Sequence, residues 1–382
     1  MKLLHISDIH FGIKFLNKNQ MTRKILIEES YETFDKALKF ILDNDIKGLL
    51  IAGDLFDGEY RSLRAEKYLI QAFETLKHYG VKVFYCLGNH DSNTTFKNGF
   101  LRQLPSNVII FNDENPSSYL LEDTIYIHSC GHQKKSESRN LVMDFPQYIE
   151  NYYNVGLLHC SIVSTVTEEG NYLPTRLEDL QGKGYDYWAL GHIHKRERVA
   201  NNIYYSGSLY GLSSKETGNK GALLIDFKNN ERIVKFVDLS TVNYETAVID
   251  FEKELIENQY DLLKFIGKKI EPFDKKIMLK LILKGQTKIY NFLTQGISLN
   301  ELREEVKRDD YIIDVSFDLE GLKRTINYED YIREDNILGY MQKYLEDEDI
   351  RGKLIQKYNL DSIDDKFIKE IMNMMVGETN ED

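Results

Sequence analysis

The sequence predicts an α/β fold in which two packed mixed β-sheets are flanked by helices, with a smaller α/β domain and a helical C-terminal tail after it. Three observations lead there. Short apolar runs bounded by Gly or Asp recur at residues 3–6, 49–52, 81–87, 155–158 and 187–190, as strands covered on both faces require. Helical periodicity fills the intervals between the first of these runs. Further short runs, at residues 108–111, 124–129, 203–205 and 222–227, supply strands enough for a second sheet.

Taken in order, residues 3–6 open the first sheet. Tyr31, Phe34, Leu38 and Ile41 then recur at three and four residues, which marks a helix before the run at 49–52. Ser62 caps a second helix whose Leu69, Phe73 and Leu76 face the core, and Gly80 ends it. Strand, helix, strand, helix in this order implies parallel neighbours joined by right-handed crossovers. The four later runs are expected to pair with one another as the second sheet, and Lys228-Asn229-Asn230-Glu231 reads as a hairpin turn. Residues 1–239 form the first expected domain.

Residues 240–318 read as a separate α/β domain with strands at 246–251, 276–283 and 311–317 and a capping box, Ser298-x-x-Glu301, opening a helix. Residues 319–382 form the tail, strongly helical from Asp335. Ile337, Met341 and Tyr344 fall on one face there, and Ile368, Ile371, Met372, Met374 and Met375 come near the end. A methionine-rich stripe is more often core than interface.

With 382 residues, 42% apolar and 29% charged, the chain is globular and long enough for more than one domain. Its apolar runs stay well short of the roughly 20 residues that span a bilayer. The N-terminus enters a strand at Lys2 without a basic and apolar leader, so a cytoplasmic protein is expected. Cys86, Cys130 and Cys160 then read as buried, reduced thiols. The net charge of −12 is unevenly spread: 28 Lys and Arg against 30 Asp and Glu in residues 1–239, 12 against 15 in 240–318, and 9 against 16 in 319–382. The acidity therefore concentrates in the tail, away from the first domain.

The chemistry lies immediately after each of the five strand-like runs, in Asp8-x-His10, Gly53-Asp54, Gly88-Asn89-His90-Asp91, His159 and Gly191-His192-Ile193-His194. Ligands collect outside the carboxyl ends of strands in open α/β sheets, so these groups are placed to converge. Singly, each is weak; a lone Asp-x-His or Gly-Asp is usually a turn. Jointly and in order they describe a metal site. Two carboxylates, one carboxamide and four imidazoles, with no thiolate, suit Mn²⁺, Fe²⁺ or Zn²⁺ rather than calcium. Seven ligands exceed what one such ion takes and suit two ions, roughly 3.5–4 Å apart, that clamp an in-line displacement at phosphorus. Phosphoester hydrolysis is the expected reaction.

These ordered motifs resemble the calcineurin-like metallophosphoesterases. Within them, Leu4-His5-Ile6-Ser7-Asp8-Ile9-His10 and Asp186-Tyr187-Trp188-Ala189-Leu190-Gly191-His192-Ile193-His194 resemble the DNA-repair exonucleases of the SbcD and YhaO type, as do Tyr205-Ser206-Gly207-Ser208 and Lys215-Glu216-Thr217-Gly218. The resemblance covers about residues 1–230. It implies that Asp8, His10 and His194 hold one ion, that Asn89, His159 and His192 hold the other, and that Asp54 bridges them, with Mn²⁺ first among the candidates. It further implies that His90 orients the scissile phosphate and protonates the leaving oxygen, with Asp91 as its orienter. Asp57 stands where some double-strand-break repair nucleases of the family carry histidine, so end preference does not transfer.

The implied function is a two-metal DNA nuclease, an exonuclease acting in repair or end processing. A cap domain at 240–318 would lean over the active site, C-terminal helices would dock on an SMC-like coiled-coil ATPase, and catalytic-domain helices would form a homodimer. The alternatives are a small-molecule phosphodiesterase or phosphatase, or a non-catalytic subunit that tethers DNA. Phosphate backbones need local cations, and Lys195 and Arg196, adjacent to His194, are better placed for DNA than Lys134, Lys135 and Arg139 or Lys14, Lys18, Arg23 and Lys24. Tyr204, Tyr205 and Tyr210 are more often sheet packing than base stacking. His5, His78, His128 and His132 default to structural or solvated roles.

Overall fold

The computed structural model describes residues 1–58, 61–96, 99–163, 172–229, 231–307, 311–325, 337–358, 360 and 362–378. Asn230, Asp335 and the side chain of Met375 lie outside the described residues. Two compact units are present: Met1–Ala247 with Ile270–Lys280 and Val306–Ser316, and Val248–Lys269 with Leu281–Glu305 and Phe317–Asp382.

In the first unit a six-stranded sheet runs, in spatial order, Glu231–Asp238, Gly221–Lys228, Lys2–Ile6, Ile46–Ala52, Lys82–Cys86 and Val108–Phe111. The last four are mutually parallel, and the first two are antiparallel additions at one edge. Alternation along the strands explains why both faces are covered. Leu4, Ile6, Leu49, Ile51, Val83 and Tyr85 pack with Phe34, Leu69 and Phe73 of the crossover helices Gln20–Asp43 and Leu63–His78. Leu3, Leu50 and Phe84 point the other way, into a core shared with Ile127, Leu157 and Ala189. Those three belong to the second six-stranded sheet, ordered Glu197–Ala200, Ile203–Tyr205, Tyr187–Gly191, Tyr153–His159, Ile125–Ser129 and Ser117–Leu121. Its far face buries Leu158, Trp188 and Leu190 against Leu141, Phe145 and Leu180. The unit is thus a pair of mixed sheets flanked by helices.

The caps agree with the sequence. The Ser62 hydroxyl accepts the Ala65 N–H at 3.1 Å, and Gly80 at φ 75° closes the same helix as Val81 N–H reaches Leu76 C=O at 2.9 Å. Other details differ. The first crossover helix begins at Gln20, where the Asn19 side chain accepts the Thr22 N–H at 2.9 Å, well before the periodic stretch from Tyr31. Its early buried positions include Thr22, Glu29 and Ser30, so the inward face there is partly polar and the apolar period breaks.

Strand partners also differ from expectation. Val108–Phe111 and Gly221–Lys228, expected in the second sheet, lie in the first, whereas the motif strands Tyr153–His159 and Tyr187–Gly191 form the middle of the second. Period-2 patterning identifies a strand without naming its neighbour. The Lys228–Glu231 pair closes the expected hairpin, with Asn229 at φ 54°.

A third sheet orders Val242–Asp250, Lys276–Thr287 and Ile312–Asp318, with Leu322–Arg324 parallel to the second of these. The helix expected to open at Ser298 starts at Gly296, so Ser298 sits inside its first turn rather than at its cap. In the second unit the tail folds as helices Ile337–Glu346, Glu348–Tyr358 and Asp365–Glu378. Ile363, Ile368 and Met372 are buried there among Met341, Leu345 and Leu354, while Ile337, Tyr344 and Met374 are exposed.

Candidate metal centre

The five motif segments leave the carboxyl ends of strands from both sheets, and backbone hydrogen bonds tie the exits together. Asp8 N–H reaches Gly53 C=O at 3.2 Å, His10 N–H reaches Asp54 C=O at 3.0 Å, and Cys160 N–H reaches Gly191 C=O at 3.3 Å. These turns are strained. Asp8, His10, Asp54 and His192 have φ of 52°, 50°, 50° and 101°, where non-glycine residues pay about 1–3 kcal/mol each. Strain of this kind persists where surrounding structure over-determines it, typically at functional sites. Two motif glycines are explained by crowding. A Cβ at Gly53 would lie 2.3 Å from the His159 ring, and one at Gly88 would lie 2.2 Å from Asp54 Oδ1.

Asp54 is the centre of the cluster. Its Oδ2 lies 3.4 Å from His159 Nε2 and 3.7 Å from His10 Nε2, and its Oδ1 accepts the His90 backbone N–H at 2.9 Å. Asn89 Oδ1 lies 2.9 Å from His159 Nε2 and 3.3 Å from His192 Nδ1. Asp8 accepts the His192 N–H and faces His194 Nε2 at 3.8 Å. Ligand-capable atoms of Asp8, His10 and His194 lie within 4.8 Å of one another, as do those of Asp8, Asp54 and His159. All seven side chains named from the sequence therefore converge: Asp8, His10, Asp54, Asn89, His159, His192 and His194.

The donor chemistry fits a pair of divalent ions. Asp8, Asp54, His10 and His159 are buried, and the carboxylates of this set have imidazoles for ion-pair partners. Burial disfavours charge on His159, yet Asp54 with Asp8 behind it outweighs burial and pushes the ring up to about 9. His10 is raised in the same way, against its burial, by Asp57, Asp54 and Asp8. His10 Nε2 is buried without a hydrogen-bond partner, so this nitrogen faces the cluster with its bonding capacity unused. His159 Nδ1 lies 2.9 Å from Ala52 C=O, which holds the ring with Nε2 toward the cluster.

His90 is half-exposed at the rim, and the residue beside it is Asp57: Nδ1 to Oδ1 is 3.3 Å, with His10 Nδ1 at 3.4 Å from the same oxygen. Asp91, expected to orient His90, instead accepts backbone N–H groups from Asp54, Leu55, Phe56 and Gly88 and the Tyr85 hydroxyl. The expectation fails because Asp91 turns inward from the motif loop, where unpaired backbone donors of two neighbouring turns must be satisfied. Lys195 and Arg196 are both exposed, and the Arg196 guanidinium stacks 3.5 Å over the Phe236 ring. Tyr205 and Tyr210 are buried, and Tyr204 stacks on Tyr187. His5, His128 and His132 are buried and His78 is exposed.

Two neighbours had no role assigned from sequence. Asp57 closes the Gly-Asp-x-x-Asp motif, and Glu216, in the Lys-Glu-Thr-Gly stretch, lies 3.0 Å from His194 Nδ1. A third, Tyr172, places its ring 5.0 Å from that of His192 and offered no sequence signal.

Residues 1–196 match the family described as calcineurin-like phosphoesterase. The chain is 27% identical over 299 residues to "Uncharacterized metallophosphoesterase YhaO" of Bacillus subtilis, covering 75% of this chain and 72% of that protein. It is 27% identical over 322 residues to "DNA double-strand break repair protein Mre11" of Sulfurisphaera tokodaii, covering 79% and 77%. It is 24% identical over 315 residues to a subunit of the nuclease SbcCD from Staphylococcus saprophyticus, covering 76% and 80%. With the family match spanning half of the chain, and with its ordered motifs gathered around Asp54, this protein belongs to the calcineurin-like phosphoesterases and is a hydrolase of phosphate esters.

Proposed function

We propose that the protein is a two-metal DNA nuclease, an exonuclease of repair or end processing. The observation that carries this conclusion is the gathering of seven oxygen and nitrogen donor side chains, Asp54 at their centre, with His90 beside them. Asp8, His10 and His194 would hold one ion, Asn89, His159 and His192 the other, and Asp54 both. When bound, two divalent ions, Mn²⁺ first among them, supply Lewis acidity that neutralises the phosphate and acidifies water.

The chain's own part is to place and protonate. Asp57 holds His90 by its Nδ1, and the half-exposed ring would donate a proton to the leaving oxygen from its other nitrogen. Asp57 positions His90 and His10 together, so the proton donor and a ligand share one anchor. Relatives named as Mre11 and as a nuclease subunit favour DNA over a small ester.

A division of labour along the chain accompanies this function: residues 1–239 as the nuclease domain, 240–318 as a cap and 319–382 as a segment that docks a coiled-coil ATPase. The relative named as a subunit supports a partner. The described residues contain no helix long and apolar enough to cross a membrane. As part of the same proposal, the DNA-repair relatives favour a cytoplasmic protein. A homodimer belongs to the same proposal and is tested by the protein's mass in solution.

Assaying the purified protein with Mn²⁺ on end-labelled duplex DNA, single-stranded DNA and a chromogenic bis-ester tests the proposal. Release of short products from a DNA end is the expected result, removed by chelation. Cleavage of the bis-ester alone would leave a small-molecule phosphodiesterase and sink the nuclease. Binding of DNA without cleavage of any substrate would favour the tethering subunit. In the same assay Lys195→Glu is expected to weaken DNA binding about threefold to tenfold at low salt and to flatten the salt dependence. A salt titration that superimposes on that of the unmodified protein removes Lys195 from the footprint.

A further inference from the structure

The segment after the last ligand pair contains residues to which the proposed hydrolysis gives no part. His194 sits on the loop beyond Tyr187–Gly191, with its ring about one-third exposed, the least enclosed of the three imidazoles grouped with Asp8 or Asp54. Three side chains from residues 208–220 hold it from both ends. Glu216 Oε1 lies 3.0 Å from His194 Nδ1. The Ser208 backbone N–H donates to the His194 carbonyl at 3.1 Å, with the Ser208 hydroxyl oxygen 3.3 Å from that carbonyl, and the Lys220 ammonium donates to it at 3.2 Å.

The three clamp residues are also tied to one another. The Ser208 hydroxyl lies 2.8 Å from Glu216 Oε2, which accepts the Leu212 N–H at 3.2 Å and faces Lys220 Nζ at 3.8 Å. The Ser213 hydroxyl reaches Oε1 at 3.3 Å. Both charged side chains are largely buried, so neither belongs to a surface ion pair whose partners trade freely with water. A buried carboxylate with this many donors has one orientation. Its remaining oxygen fixes the imidazole plane and leaves Nε2 directed toward Asp8.

We propose that Glu216 is a positioning residue that presets His194 as a metal ligand, with Ser208 and Lys220 holding the carboxylate and the His194 backbone in register. The role rests on the two-metal centre proposed for this protein. The physical basis is general: a ligating imidazole is oriented by what its other nitrogen meets, and removing that partner weakens metal binding by about 10–100-fold. The Lys215-Glu216-Thr217-Gly218 stretch then has a reason to exist, since Gly218 at φ 80° turns the chain back so that Glu216 and Lys220 reach the same loop.

The test is a calorimetric titration of the full chain with Mn²⁺, comparing the unmodified protein with Glu216→Ala, Glu216→Asp and Glu216→Gln. Alanine and aspartate, the latter one methylene too short to reach Nδ1, are expected to weaken one of two binding events by about 10–100-fold and leave the other alone. Glutamine keeps an oxygen that accepts from Nδ1–H and is expected to stay within about tenfold of the unmodified protein. In the Zn²⁺-loaded protein the ¹⁵N resonance of His194 Nδ1 should move in the alanine and aspartate variants. If alanine unfolds the chain, the aspartate variant, which keeps the charge, decides. A folded alanine or aspartate variant with unchanged affinity at both sites and an unmoved His194 resonance overturns the role of Glu216. An unmodified protein that takes up no Mn²⁺ overturns the metal centre itself, a different result.

Discussion

Asp54→Ala is expected to lower metal-dependent phosphodiester hydrolysis by at least about 10³-fold, which at 1.36 kcal/mol per tenfold is about 4 kcal/mol of transition-state stabilisation. The size comes from position. Oδ2 of Asp54 faces both His159 and His10, which lie in the two halves of the cluster, while Oδ1 holds the His90 N–H. Alanine would deprive both proposed ions of a shared anion and release the backbone of the residue proposed to donate the proton. Burial raises the pKa of Asp54, but His159, His10 and His90 overcome it and hold the carboxyl well below its ordinary range, so the side chain is an anion at any working pH. Turnover of a chromogenic bis-ester at saturating Mn²⁺, with far-UV circular dichroism to establish folding, measures the effect. A folded variant that keeps a tenth of the activity contradicts the shared-ligand role.

The site was more legible in the sequence than the sheets that carry it. Asp8, His10, Asp54, Asn89, His159, His192 and His194 could be named because each comes after a short apolar run, and strand ends in α/β folds converge whatever the pairing order. Pairing itself left no such mark. The runs at 108–111 and 221–228 look alike in composition to those of the second sheet, and only the register of Leu3 with Ile225 and of Val83 with Val108 puts them in the first. Glu29 shows a second limit. It is buried and accepts the N–H groups of Thr241 and Val242, so a charged residue occupies an inward helical position and hides the first turns from a periodicity argument. Side-chain direction was the third. Nothing in Gly-Asn-His-Asp says that His90 faces the rim while Asp91, one residue later, faces the interior, and a resemblance to relatives supplies the motif without the hydrogen bonds.

That reversal yields the second large effect. Asp91→Ala is expected to destabilise the protein by about 3–5 kcal/mol, because the side chain is fully buried and its removal orphans several donors at once. Oδ2 accepts the Leu55 N–H at 2.6 Å and the Tyr85 hydroxyl, and Oδ1 accepts the Gly88 N–H at 2.7 Å and the Asp54 N–H at 3.3 Å. These backbone donors belong to the turns after Ile46–Ala52 and Lys82–Cys86, so one carboxylate joins the loops that bear Asp54 and Asn89. Each orphaned buried N–H costs about 1–3 kcal/mol, and a domain of this size loses about 2–4 °C of melting temperature per kcal/mol. A fall of about 6–20 °C in the metal-free protein is therefore expected, with Asp91→Asn intermediate because its carbonyl oxygen still accepts while its NH₂ meets donors. Were Asp91 the orienter of His90, the alanine variant would instead melt with the unmodified protein and lose turnover alone. Thermal denaturation beside bis-ester kinetics separates the two outcomes, and an unshifted melting curve would show that the buried hydrogen bonds of Asp91 do not hold the loops together.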